Sequence, residues 1–391
     1  MREIDVEKVR AETRGCSDLI HFNNAGASLM PAPVADYLCD FLREEEMKGG
    51  YETRSLRNAD IEGFYKSVAL LLNAKPKEIA FVENATRAWD MVFYALPLGP
   101  GDKILTTISE YGSNLIAYLH RAKQTGAELV IVPNDENGQI DVNALEQNID
   151  KKTKLISISH IPTGGGLINP AHDVGRIAKK YAIPFLLDAC QSVGQIHLDV
   201  KAIGCDFLSG TGRKYLRGPR GTGFLYVQED WIERLEPPLL DQFAAELIDA
   251  ETYEVRTDAK RFENWERYFA GQAALGKAVD YAMELGLKTI ERRVFDLAAC
   301  LRTELQETGF VTLTDQGAKK CGLVTFEHLR LNAEQVKIQL SNHKINVSTS
   351  SGSGMKLSYL DRGLEGLVRA SVHYYNTEDE INKFVEALRS L

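Results

Sequence analysis

Two periodicities alternate along the chain from about residue 76. Short apolar and β-branched runs recur as EIAFVE (78–83), KILTTIS (103–109), ELVIVP (128–133), KLISISHI (154–161), IPFLLDA (183–189), CDFLSG (205–210) and GFLYV (223–227). Most are separated by stretches whose apolar positions follow helical spacing, such as SNLIAYLHRAKQTG (113–126) and AHDVGRIAKKYA (171–182). Strands that are apolar on both faces and joined through helices predict a mainly parallel α/β sheet with helices on both faces. Ligands of such sheets bind beyond the carboxyl ends of the strands, so the loops after these runs are where chemistry is expected.

The pattern changes after about residue 264. A long helical stretch runs to Gly309 and is followed by the strand-like segments GLVTFEH (322–328), INVSTS (345–350) and LVRASVHYY (367–375). The last helix opens on TEDE (377–380), a capping box in which Thr377 and Glu380 satisfy each other's backbone amides. These features predict an N-terminal segment (1–20), a large domain (21–263) and a smaller α+β C-terminal domain (264–391). STSSGSG (348–354) is read as a flexible loop.

Composition narrows the function. The 391 residues carry a formal net charge of -9, which argues against a nucleic-acid binder that would need surplus Lys and Arg. No run of about 18 apolar residues is present, so no membrane span is expected. The first residues, MREIDVEKVRAETRG, are charged throughout, and the six cysteines show neither a CxxC pair nor zinc-like spacing. A cytoplasmic protein with reduced thiols and no metal is the expectation.

Against that background one stretch stands out: SGTGRKYLRGPRGTG (209–223), with Lys214 set among glycines and arginines. It is not a Walker A loop, because Arg213 precedes the lysine and Tyr215 follows it, and Tyr215 also occupies the place of the third glycine of GxGxxG. Upstream, the apolar strand IPFLLDACQS ends in Asp188, with Gln191 just beyond. An acid closing such a strand is costly to bury without a cationic or proton-bearing partner. Pyridoxal 5'-phosphate has a ring nitrogen to meet that acid and an aldehyde that a lysine holds as an imine. Lys214 then binds the aldehyde and serves as a base, Asp188 keeps the ring nitrogen protonated, and Gln191 hydrogen-bonds the ring's phenolic oxygen. Thr211 and Arg213 offer donors to the phosphate, as does NATR (84–87), where a strand gives way to a helix.

With these residues in place, the chain resembles fold-type I pyridoxal phosphate enzymes of the class V aminotransferase and cysteine desulfurase superfamily. The likeness runs from HFNNAGASLMP to VRASVHYYNT and includes LLDACQSVGQIHLDV and the lysine loop in order. It implies that Thr86 and the Ala85 amide join the phosphate site and that Tyr111 stacks on the cofactor. It also implies that Thr163 and Arg369 bind the substrate, Arg369 gripping its carboxylate, and that the protein is a homodimer acting on a small amino acid.

Desulfurases carry a nucleophilic cysteine shortly before that arginine, but NVSTSSGSGMKLSYLDRGLEGLVR (346–369) has none, and Cys321 lies on another segment. The stretches HIPTGGGLINP and FNNAGASLMP resemble the branch of ergothioneine-pathway lyases and isopenicillin-epimerase-like proteins. The reading therefore favours carbon-sulfur β-elimination, with transamination, epimerisation, desulfuration and a non-catalytic scaffold as alternatives. His160 and His197 are read as core or supporting groups. Arg217 and Arg220 are open between a partner subunit's cofactor and solvent.

Overall fold

The computed structural model describes residues 3–391. Seven strands form the large sheet: β1 (Ile79–Val82), β2 (Lys103–Thr107), β3 (Glu128–Val132), β4 (Thr153–Ser159), β5 (Phe185–Asp188), β6 (Phe207–Thr211) and β7 (Gly223–Val227). Their order is β1-β7-β6-β5-β4-β2-β3. β7 runs antiparallel to both of its neighbours, and the remaining pairings are parallel.

Both faces of this sheet are buried, which is why its strands read as unbroken apolar runs. Leu105, Ile156, Leu187, Leu208 and Phe224 enter one apolar layer, and their chain neighbours Ile104, Leu155, Leu186, Phe207 and Leu225 enter the other. A second, antiparallel sheet holds β8 (Val311–Leu313), β9 (Leu323–His328), β10 (Ser348–Ser351) and β11 (Gly366–Ser371) in the order β8-β9-β11-β10. Its Val324, Phe326, Val368 and Ala370 pack with Leu301, Leu305 and Phe384.

Three local expectations change. The first four residues of the segment read as a flexible loop are strand β10, paired with β11 through Ser348–Arg369 and Ser351–Gly366. The long helical stretch is two helices, Phe269–Leu285 and Leu287–Glu307, parted at Gly286, whose φ of 86° suits glycine. The first of these buries Ala274, Leu275, Ala278 and Val279 in the core of the large sheet. That packing supports moving the proposed boundary of the small unit from 264 into the second helix, where Leu297 and Leu301 join the other core. The capping box of the last helix forms as read, Thr377 Oγ1 accepting from the Glu380 amide at 3.2 Å.

One buried cation ties the ends of the chain to the lysine loop. Arg217 is 1% exposed and takes a φ of 60°, a strained backbone for a non-glycine residue. Its Nε donates to the Leu29 carbonyl at 2.7 Å, Nη1 to Tyr374 Oη at 2.7 Å, and Nη2 to Thr13 Oγ1. The guanidinium also lies over the Tyr375 ring at 4.4 Å. Its own amide donates to the Lys214 carbonyl at 2.9 Å, so the clamp sits on the lysine loop itself. Both uses foreseen for Arg217 are thereby corrected: it meets neither solvent nor a partner's cofactor. Replacing it by alanine is expected to cost about 3 kcal/mol, one net contribution for each lost hydrogen bond. Arg217→Lys should recover little, because a point charge cannot reach three acceptors and lie on a ring. Chemical denaturation of the two variants checks both statements.

Candidate functional site

The carboxyl ends of β1, β2, β4, β5 and β6 and the start of antiparallel β7 meet at one edge of the sheet. There they enclose a cavity of about 300 Å³. Its wall includes Ala85, Thr86, Tyr111, Thr163, Asp188, Gln191, Thr211, Arg213 and Lys214, so nine of the ten residues singled out in the sequence come together. Arg369 stands directly behind Thr163, its Nη1 donating to Thr163 Oγ1 at 2.6 Å and to the Thr163 carbonyl at 3.0 Å.

Asp188 ends β5 and is 8% exposed. Oδ1 accepts from the Cys190 amide at 2.9 Å and Oδ2 from Asn114 Nδ2 at 3.1 Å. Lys214 is 9% exposed and forms no ion pair among the described residues. Burial pulls its pKa down from 10.5 to about 8; Arg213 and Arg369 act in the same direction, and Asp188 against it. An amine so placed is a nucleophile and base near neutral pH.

Gln191 bridges two elements, Nε2 donating to the Ala25 carbonyl and to Thr163 Oγ1, each at 3.1 Å. Among the described residues its Oε1 is buried without a partner, as is Arg369 Nε. Gln191 lines the cavity, so its unpartnered oxygen is a point where a donor group of a ligand can bind. At the opposite end the helix Ala85–Phe93 starts; Asn84 caps it by accepting from the Arg87 amide at 2.9 Å. Ala85 and Thr86 lie in its first turn, where backbone N–H groups lack intrahelical acceptors and attract anions. Gly223 lets this turn approach, since a Cβ there would stand 2.9 Å from the Asn84 carbonyl carbon. Arg213 Nη1 donates to Thr211 Oγ1 at 3.2 Å and adds positive charge on that side.

The remaining residues named from the sequence occupy different places. Arg87 turns to Glu83 at 3.9 Å and does not line the cavity. Tyr111 caps the helix Gly112–Thr125 and is 38% exposed, so its ring stands at the rim. His160 is buried and driven down to a pKa of about 3 by desolvation, in keeping with a supporting role, whereas His197 is exposed and has no place in a core. Arg220 does reach the wall, beside Thr222.

The sequence reading passed over Cys190, Ser159, Glu110 and Asn114. Cys190 lies between two chosen residues in the string DACQ and lines the cavity. Burial, reinforced by Asp188, raises its thiol well above the ordinary range. Glu110 immediately precedes Tyr111, and Asn114 follows one helical turn later, a spacing that signals a shared face. Among the described residues no helix is long and apolar enough to cross a membrane, and no group of three or more metal-ligating side chains gathers.

The profile of the family Aminotransferase class-V matches residues 20–384. A probable cysteine desulfurase of Pyrococcus abyssi is 30% identical over 392 residues, covering 98% of this chain and 97% of the relative. The apo structure of a cysteine desulfurase from Thermococcus onnurineus NA1 superposes with a TM-score of 0.92 at 29% identity, over 100% of this chain and 98% of the other. A C-DES variant with glycine covalently linked to its pyridoxal phosphate cofactor shares the fold at a TM-score of 0.87 and 22% identity, covering 98% and 99% of the two chains. The buried amine and the strand-end carboxylate suit that cofactor's aldehyde and ring nitrogen, and Gln191 in the same wall carries an amide NH₂ able to donate to its phenolic oxygen. The chain belongs to the aminotransferase class-V family and is a pyridoxal phosphate-dependent enzyme.

Proposed function

We propose that this enzyme holds its cofactor through Lys214 and cleaves the carbon-sulfur bond of a small cysteine derivative by β-elimination, which, with uptake of one water, releases pyruvate, ammonia and a thiol. Bound pyridoxal phosphate supplies an electron sink that stabilises negative charge at the substrate's α carbon. Lys214 Nζ, made less basic by its burial, takes the α proton. Asp188 holds the ring-nitrogen proton from the carboxyl end of β5. Arg369 is the cation for the substrate carboxylate, and Thr163, hydrogen-bonded to both Arg369 and Gln191, fixes the arginine relative to the ring. Ala85, Thr86, Thr211 and Arg213 hold the phosphate. Exposed Met47, Leu56, Ile116 and Leu119 offer apolar surface for the homodimer this reading carries with it.

The observation that carries lyase over sulfur transfer is the segment after β10. It packs against the cavity mouth, where the Gly112 amide donates to the Gly354 carbonyl at 2.9 Å and Gly164 adjoins Ser350 and Met355. At the place where a persulfide-forming thiol would be needed stand Ser350 and Ser351 at the end of β10 and Ser353 just after it. A serine hydroxyl cannot take up sulfur as a persulfide.

A second reading, cysteine desulfurase, is favoured by the names of the relatives and by Cys190 in the wall. Cys190 is a weak candidate acceptor because its raised pKa keeps it a neutral thiol. Product analysis separates the two. Elimination yields pyruvate and leaves Cys190→Ala active, whereas desulfuration yields alanine and a protein persulfide lost in that variant.

Two further outcomes follow from the charges. Arg369→Ala should raise KM about 10- to 100-fold, the cost of a charge-assisted contact, measured by steady-state kinetics. The rate at which apoprotein captures pyridoxal phosphate should climb through pH of about 8 rather than 10.5, following the neutral form of Lys214. Between those values the folded apoprotein binds fewer protons at this lysine than the unfolded chain does, so its contribution to stability rises with pH. Stopped-flow absorbance and denaturation across the same pH range test both signs.

A further inference from the structure

Behind Asp188 lies a second buried carboxylate that the mechanism above does not use. Glu110 is 1% exposed and sits between β2 and the rim residue Tyr111. Its Oε1 accepts from Ser159 Oγ at 2.5 Å, from the Tyr111 amide at 2.7 Å and from Asn114 Nδ2 at 3.0 Å. Oε2 accepts from Thr106 Oγ1 at 3.0 Å and Tyr118 Oη at 3.4 Å. Five groups able to donate converge on an acid that has no cationic partner among them; burial raises its pKa, with Asp188 adding to the rise, and the hydrogen bonds from Ser159, the Tyr111 amide and Asn114 oppose it by favouring the ionised carboxylate.

Asn114 connects this acid to the site. It is 3% exposed, and its single amide nitrogen lies 3.0 Å from Glu110 Oε1 and 3.1 Å from Asp188 Oδ2. One NH₂ group thus gives a proton to each of two carboxylates. Turned over, the amide would aim its oxygen at both, so the two anions together fix its orientation. The Cys190 amide holds the other Asp188 oxygen at 2.9 Å, and the aspartate's plane is set from two sides. A buried negative charge one amide away makes a neighbouring carboxylate a stronger partner for a cation.

We propose that Glu110 is a positioning residue that acts through Asn114, aiming Asp188 at the cofactor's ring nitrogen and strengthening its hold on the proton there. The proposal rests on the reading that Asp188 meets that nitrogen. A merely structural Glu110 would support the fold without regard to what the ring carries at that position.

Binding by the apoprotein of pyridoxal phosphate and of its 1-deaza analogue, which has carbon in place of the ring nitrogen, separates these roles. Wild type should prefer the natural cofactor. Glu110→Gln should weaken pyridoxal phosphate binding about tenfold, equivalent to one pKa unit of interaction, and leave the deaza analogue within about twofold. Asn114→Ala should give the same pattern while leaving Glu110 its four other donors, and it carries the test if Glu110→Gln does not fold by circular dichroism. Equal losses for both ligands, or no loss for either, would overturn the proposal. A wild type that binds both ligands equally would overturn the Asp188 reading and the proposal with it.

Discussion

An amine and a carboxylate are buried in one cavity without pairing with each other, and the surrounding structure has to sustain that. Neither Lys214 nor Asp188 has an oppositely charged side chain within 4.0 Å among the described residues. Leaving ionisable groups in this state costs stability unless other contacts offset it. The consequence is visible in both groups: the amine loses basicity, and the carboxylate is held by two neutral N–H donors. A cofactor with an aldehyde at one end of its ring and a protonated nitrogen at the other satisfies both at once.

The rest of the molecule is arranged to keep that cavity in shape. β5 and β6 bring Asp188 and Thr211 to the same edge because their apolar positions are locked between two layers of core. Arg217 pins the lysine loop to Leu29, Thr13 and Tyr374, while His373 Nε2 lies 3.0 Å from the Tyr215 carbonyl. Residues near both chain ends therefore bear on the position of Lys214. Coupling of this kind explains why a site drawn from six stretches of sequence forms one wall.

Much of this was legible in the sequence for a physical reason. Parallel strands buried on both faces appear as continuous apolar runs, and the chemistry lies in the residues just past each run; Asp188, Gln191, Thr211 and Lys214 are found that way. What was not legible depends on partners distant in sequence. Glu110 becomes notable only when Asn114 is seen to bridge it to Asp188, and Arg217 only when its three acceptors are gathered. Ser348–Ser351 lacks apolar character and reads as a loop, yet pairing with β11 makes it a strand. Gly286 splits a helical pattern that periodicity alone cannot divide, because both sides keep the same spacing.

The central claim, that Lys214 is the residue joined to the cofactor, is tested most directly by reductive trapping. Holoprotein treated with borohydride and digested should yield one pyridoxyl-modified peptide, with the label on Lys214 in the sequence GTGRKYLR. A label on a different lysine, or recovery of the cofactor unattached, would contradict the account.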